Sequence, residues 1–372
     1  MQRSLTESNR PLRGVNLGGW LVLEKWMTPS LFDGLAATDE TTWCAELGTD
    51  AAPRLRAHWN SFVSRDDFAW LAQIGIDTVR IPLGHWIFGP PYPYHAKYGP
   101  NPYPYVVGGI DVLDRAMDWA AEFGLGAILD LHAAPGCQNG FDNGGIQNVC
   151  EWHTRADYVE YTLEVLERLA RRYRTHRALR AIELLNEPRW DIATDFLTDF
   201  YRRAYRAIRA HCAADDVAVV LHDGFRSHRE YVALLAEPAF DNVFFDVHRY
   251  QCFDPGDLAL DPAGHVEKAA RTWRDEARDI QRDLGRPAIV GEWSLGLDIE
   301  VVSLGAKMPA RSPLQQLDDF RLDVALRAYA AAQLIAFEEY RGWFFWSYRT
   351  ETTPAWCFRD CVERGWLPRS FG

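Results

Sequence analysis

The chain has 372 residues, 48% hydrophobic and 25% charged, and a formal net charge of −12. That is enough apolar material for a large core, and the acidic balance argues against nucleic acid and anionic membranes, whose phosphates would be repelled. No apolar run approaches the ~18 residues of a membrane span, and the opening residues carry no leader-like apolar stretch, so a cytoplasmic, membrane-free protein is expected. In chain order, short apolar, β-branched or aromatic runs then recur: Arg13 to Gly19, Ile76 to Gly84, Gly126 to Ala133 and Ala181 to Pro188. Val217 to Gly224, Val243 to Tyr250, Pro287 to Ser294 and Gly342 to Arg349 follow. Between them lie helical patterns such as Ala156 to Arg174, with apolar positions three and four apart. No linker or low-complexity tract interrupts the rhythm. Eight such units, apolar on both sides, predict a closed (β/α)8 TIM barrel as a single domain over residues 1–372. A doubly wound sheet is the alternative, weakened because no Gly-x-Gly-x-x-Gly follows the first strand.

The seven cysteines are odd in number and scattered, which fits reduced thiols better than a disulfide framework, with Cys137 and Cys150 left open as a pair. Cys357 and Cys361 lack the neighbours a zinc site needs. The 15 Trp, 15 Tyr and 19 Phe are mostly core material. Several, however, stand beside glycines and polar groups, as sugar-binding rings do.

The ends of the runs are polar: Arg80, His132, Asn186 with Glu187, His222 with Asp223, His248 with Tyr250, and Glu292, followed by Trp346. In a barrel these ends converge on the face that holds the chemistry. His222 and Asp223 are preferred as satisfied core groups. Glu187 and Glu292 end the fourth and seventh runs and can face each other across a cleft. Two facing carboxylates beside an aromatic wall equip a glycosidase, one donating a proton while the other stays ionised. Arg80 is placed to keep one of them charged.

The segments RGVNLGGWLVLEKWMTPSLF, VRIPLGHW, DLHAAPGCQNGFDNGG, IELLNEP, VHRYQCF, GEWS and FFWSYRTE run in order from Arg13 to Glu351. Together they resemble glycoside hydrolase family 5, and within it the exo-β-1,3-glucanase branch. The resemblance implies a retaining mechanism, with Glu187 as acid/base and Glu292 as nucleophile, their carboxyl groups ~5 Å apart. It places Arg80, His132, Asn186, His248, Tyr250 and Trp346 in the sugar subsite and its supports. Asn186 is expected to hold the 2-hydroxyl, and Tyr250 to donate to Glu292. Glu24, Asp142 and Asn143 are implied to hold sugar hydroxyls. Phe141 and Phe253 would clamp the next glucose from opposite sides of the pocket mouth, and the Trp346–Ser347 peptide would be cis. Lys25, Trp26 and Arg249 depart from the family's pattern. The loop from Phe88 to Gly109 reads equally as a wall of the site and as a surface loop packed on itself.

The expected activity is exo-hydrolysis of β-1,3-glucan or its oligosaccharides by a monomer that needs no metal or other cofactor. A β-glucosidase or diglycosidase acting on small β-glucosides, and an endo-acting β-glucanase, are the alternatives. A metal hydrolase built on His132, His222 and His248 lacks a His-x-His pair on its first strand. A Schiff-base aldolase is disfavoured because none of Lys25, Lys97, Lys268 and Lys307 ends a run. A non-catalytic glycan-binding protein would have no need of both glutamates.

Overall fold

The structure, a computed structural model, describes residues 10–297 and 313–372. Eight parallel strands follow one another around a closed ring. They are β1 (Leu12–Asn16), β2 (Thr78–Gly84), β3 (Gly126–Ala133) and β4 (Leu179–Glu183). β5 (Ala218–His222), β6 (Val243–Arg249), β7 (Ala288–Trp293) and β8 (Gly342–Phe345) complete it, and β8 pairs with β1. Each expected run overlaps one strand, although β1 and β4 begin one and two residues before their runs, and the predicted (β/α)8 barrel is the observed architecture.

Outer helices cover the ring, and their sequences explain which face they bury. In Ala156–Tyr173 the buried Tyr158, Tyr161, Thr162, Val165, Leu166, Leu169 and Tyr173 form one stripe at helical spacing. Thr194–Arg209 repeats the pattern with Leu197, Phe200, Tyr201, Ala204, Tyr205 and Ile208. Gly124 ends the Gly109–Phe123 helix at φ 75°, a left-handed conformation that glycine adopts without a side-chain clash.

Strand alternation fills the barrel in layers, because every second side chain points inward. The lowest layer is apolar: Ile128, Ala181, Ala218, Val220, Phe244, Ile289 and Phe344 pack together, with Leu12 against them. Two residues further along the strands stand Asp130, Glu183 and Asp246, joined by Asn16 and Arg80, all fully buried. Two residues further again, β3, β5 and β6 present His132, His222 and His248. The expectation that the run interiors are mostly apolar therefore misses an ionic layer. Arg80 itself is the third residue of β2 and belongs to that middle layer, not to the strand end. Asn186 and Glu187 lie beyond the ladder of β4, although Asn186 N–H still reaches the Leu131 carbonyl at 3.0 Å.

One irregularity matters for the site. Val247 pairs with Val290, but the next residue, His248, pairs with Glu292. Gly291 is thus the extra residue of a bulge, and the bulge turns Glu292 onto the same face as His248.

Candidate active site

Arg80 forms the floor. Its Nε and Nη2 reach the two Glu183 oxygens at 2.7 and 3.1 Å, and Nη2 lies 3.1 Å from Asp130 Oδ2. It also donates to Asn16 Oδ1 at 3.0 Å, Asn186 Oδ1 at 2.8 Å and Glu292 Oε1 at 3.1 Å. The barrel interior disfavours the charge, but the surrounding carboxylates outweigh that and hold the guanidinium protonated. Its planar fork suits several acceptors held in fixed directions.

Above it the two glutamates meet at His248. The ring's Nδ1 lies 2.7 Å from Glu187 Oε1 and 3.4 Å from Glu292 Oε2, so these oxygens are at most about 6 Å apart, nearer the ~5 Å of retaining pairs than the ~9 Å of inverting ones. Tyr250 donates its hydroxyl to Glu292 Oε2 at 2.9 Å, and Asn143 donates to Glu187 Oε2 at 3.2 Å. Glu187 sits at φ 45°, a left-handed conformation rare for a residue with a side chain and often found at functional sites. Burial alone would push Glu187 up, but the hydrogen bond and charge of His248 bring it below the ordinary range. Burial pushes Glu292 up, opposed by the charge of His248 and reinforced by Glu187.

The remaining expected residues gather around this centre. His132 Nδ1 lies 2.6 Å from Asp130 Oδ2, and its ring stacks on Trp346 with centroids 5.3 Å apart. The Trp346–Ser347 peptide is cis. Glu24 is buried, accepts from Trp26 Nε1 at 2.9 Å, and its other oxygen has no hydrogen-bond partner among the described residues. Desolvation holds Glu24 well above the ordinary carboxylate range, with Asp142, Glu292 and Glu187 reinforcing it. Asp142 is pushed up to about 6, again by desolvation. Phe253 is exposed and stands edge-on to Tyr250 at 5.5 Å, while Phe141 is half-buried on the loop after β3. Of the departures from the family pattern, Trp26 packs edge-on to Trp356 at 5.3 Å, and Arg249 pairs with Glu276 at 3.1 Å.

The loop from Phe88 to Gly109 packs on itself. Tyr92 meets Tyr98, Tyr103 and Tyr105, and Tyr105 stacks on Trp86 at 3.9 Å. Lys97 donates to the Gln147 carbonyl, so this loop braces the loop after β3 from outside.

Sequence reasoning missed Asn16, Asp130, Glu183 and Asp246. Their signal was a polar residue two to four positions before an expected site residue, Asn16 excepted. It missed Gln138 as well, whose side chain donates to the His132 carbonyl at 2.7 Å and the Asn186 carbonyl at 2.8 Å. His222, expected in the core, is fully buried, with its ring 4.3 Å from that of His248. Among the described residues two donor sets are close enough to hold a metal, Glu187 with His222 and His248, and Glu183 with Asp246 and His248. Both depend on His248, whose nitrogens already face carboxylates on opposite sides. The donors therefore read as an ion-pair network. None of the seven cysteines is in a disulfide, Cys137 and Cys150 included.

Residues 44–306 match the family model described as cellulase (glycosyl hydrolase family 5). The glucan 1,3-beta-glucosidase of Blumeria graminis is 36% identical, the match covering 97% of this chain and 88% of that protein. The probable glucan 1,3-beta-glucosidase A of Emericella nidulans is likewise 36% identical, over 96% and 90%. Among solved structures, rutinosidase from Aspergillus niger superposes with a TM-score of 0.76 over 96% of this chain and 98% of that one, at 19% identity. Endoglucanase Cel5A from Thermotoga maritima gives 0.57 over 95% and 96%, at 14% identity. At such identities the two structures share the fold.

Proposed function

The chain belongs to glycosyl hydrolase family 5, and from that premise we propose that it is a retaining, exo-acting β-glycosidase of β-1,3-glucan or its oligosaccharides. The observation that carries the reading is the single imidazole facing both carboxylates, at 2.7 and 3.4 Å, one just beyond β4 and the other near the end of β7. So close a pair leaves little room for a water between enzyme carboxylate and sugar, and it suits direct attack. Curated relatives that cover nearly the whole chain carry the name glucan 1,3-beta-glucosidase, which supports the linkage.

In this reading Glu292, aligned by Arg80 and Tyr250, attacks the anomeric carbon while Glu187 protonates the departing oxygen. A glycosyl-enzyme forms. Glu187 then takes a proton from water, which attacks the same carbon and releases the sugar with retained configuration. One imidazole nitrogen faces both carboxyl groups, so their positions do not assign these roles; the family resemblance does. Asn186, Glu24, Asp142 and Asn143 hold hydroxyls, Trp346 and His132 wall the pocket, and Phe141 and Phe253 grip the next sugar. One catalytic domain over residues 1–372 supplies every group, so a monomer suffices. Seven cysteines without a disulfide fit a reducing, cytoplasmic setting in which short oligosaccharides are the substrate.

Azide separates the roles. Glu187→Ala should nearly stop oligosaccharide hydrolysis, and azide should restore turnover of a nitrophenyl glucoside with β-glucosyl azide as product. Glu292→Ala with azide should give the α product. The opposite stereochemistry would swap the two assignments, and full activity in both variants would end the two-carboxylate reading. Product lengths from laminari-, cello- and gentio-oligosaccharides then test linkage and exo action.

A further inference from the structure

Asp246 has been given no part in the reaction so far. It precedes His248 by two residues on β6, on the same inward face, and is fully buried. Its Oδ1 accepts from Gly291 N–H at 2.6 Å. Its Oδ2 accepts no hydrogen bond among the described residues and faces His248 Nε2 at 3.5 Å. A side chain at Gly291 would fall on this carboxylate, so the bulge that turns Glu292 toward His248 also makes room for Asp246. The imidazole therefore has Asp246 on one nitrogen and Glu187 and Glu292 on the other. Both nitrogens face acceptors, and only a doubly protonated ring can donate to both.

We propose that Asp246 is a positioning residue of the acid step: through His248 Nε2 it keeps the ring cationic, and so sets how readily the Glu187–His248 contact yields the proton that Glu187 delivers to the glycosidic oxygen. This rests on the reading of Glu187 as acid/base. The proton leaves Glu187 with the departing oxygen, and the attacking water returns one to Glu187 in the second step. Burial opposes a charged ring, yet Glu292, Asp246 and Glu187 together hold His248 well above the ordinary histidine range. Other groups face the same centre. Glu183 of β4 lies with Asp246 and His248 inside a 4.8 Å set, and His222 of β5 puts its ring 4.3 Å from that of His248. Arg80 of β2 reaches Glu292, His132 of β3 lies 3.4 Å from Asn186 Nδ2, and Arg249 donates to the His248 carbonyl at 3.1 Å. Of these only Glu183 shares the sign of Asp246, and Arg80 already covers it.

Asp246→Asn keeps the shape and the Gly291 contact but removes the charge behind the ring. The alkaline limb of kcat/KM for a laminari-oligosaccharide should then move to lower pH by about one to three units. A 2,4-dinitrophenyl β-glucoside, whose leaving group needs no proton, should keep its alkaline limb. Equal losses on both substrates with both limbs in place would reduce Asp246 to packing and overturn the proposal. Independently of whether that variant folds, 15N-histidine NMR of the wild-type protein should show His248 protonated on both nitrogens at pH 7 to 8; a neutral ring there would also overturn it. If Glu187→Ala left oligosaccharide hydrolysis intact, the acid assignment would fall separately, and the charge state of His248 would still report on the contact with Asp246.

Discussion

Arg80 offers its N–H donors in a fixed plane, and five residues from four other strands or their ends supply the acceptors: Asn16, Asp130, Glu183, Asn186 and Glu292. A lysine keeps the charge but not the fork. From one nitrogen it cannot reach acceptors spread around the barrel axis, and several buried oxygens would be left without a donor. Arg80→Lys should therefore lower the free energy of unfolding by ~3–5 kcal/mol, the range for breaking a buried ion pair. It should also lower kcat/KM by roughly 100-fold, because Glu292 loses the contact that aims it. Urea unfolding and steady-state kinetics on one preparation measure both. A loss under ~1 kcal/mol would mean that the interior admits water and that Arg80 is less central than its contacts indicate.

The loop after β3 shows how an element without regular structure is held in place. Gln138 is fully buried; it accepts from Ala134 N–H at 3.1 Å and donates to the carbonyls of His132 and Asn186. One side chain thus ties the ends of β3 and β4 together just below Glu187. Gln138→Ala strands two buried carbonyls and should cost ~1–3 kcal/mol. Because those carbonyls belong to residues beside the reacting centre, kcat should fall while the overall fold persists. An unchanged kcat with the stability loss alone would confine Gln138 to a structural role. None of this was legible in the segment DLHAAPGCQNGFDNGG, where glycines and polar residues signal a loop but not which carbonyls a glutamine will find. The strands were legible because their periodicity is local. The Phe88 to Gly109 loop left two readings open, and the self-packing one prevails through aromatic contacts that only the folded chain brings together.

At the scale of the whole molecule, the barrel and its active face were legible because eight apolar runs with polar ends admit few closed arrangements. The ionic layer was not. Asp130, Glu183 and Asp246 each look misplaced in their own strand, and only ring closure brings them to Arg80 and His248. Several buried titratable groups outside that layer fix how stability depends on pH. Burial lowers His58 to about 4 and His85 to about 3, so the folded state binds fewer protons than the unfolded chain below pH 6.5, and stability falls as the pH drops from there. Burial raises Glu40 to about 8 and Asp223 to about 7. Here the folded state binds more protons than the unfolded one above the ordinary carboxylate range of ~4, so stability falls as pH rises from there toward 8. His248, held above its ordinary value, adds to the alkaline loss. The two trends cross, so stability should peak in mildly acidic solution, between about pH 4.5 and 6.5, and decline on both sides. Urea midpoints from pH 3 to 9 test this, and a steady rise to pH 8 or beyond would contradict it. His85 isolates the acidic side. Neither ring nitrogen makes a hydrogen bond of ordinary geometry among the described residues, and the rings of Trp86, Tyr92, Tyr105 and Tyr161 stand edge-on around it at 5.0 to 6.3 Å. His85→Phe removes the group that must charge, so its urea midpoint should fall less steeply below pH 6.5 while the alkaline decline, set by Glu40, Asp223 and His248, stays where it was.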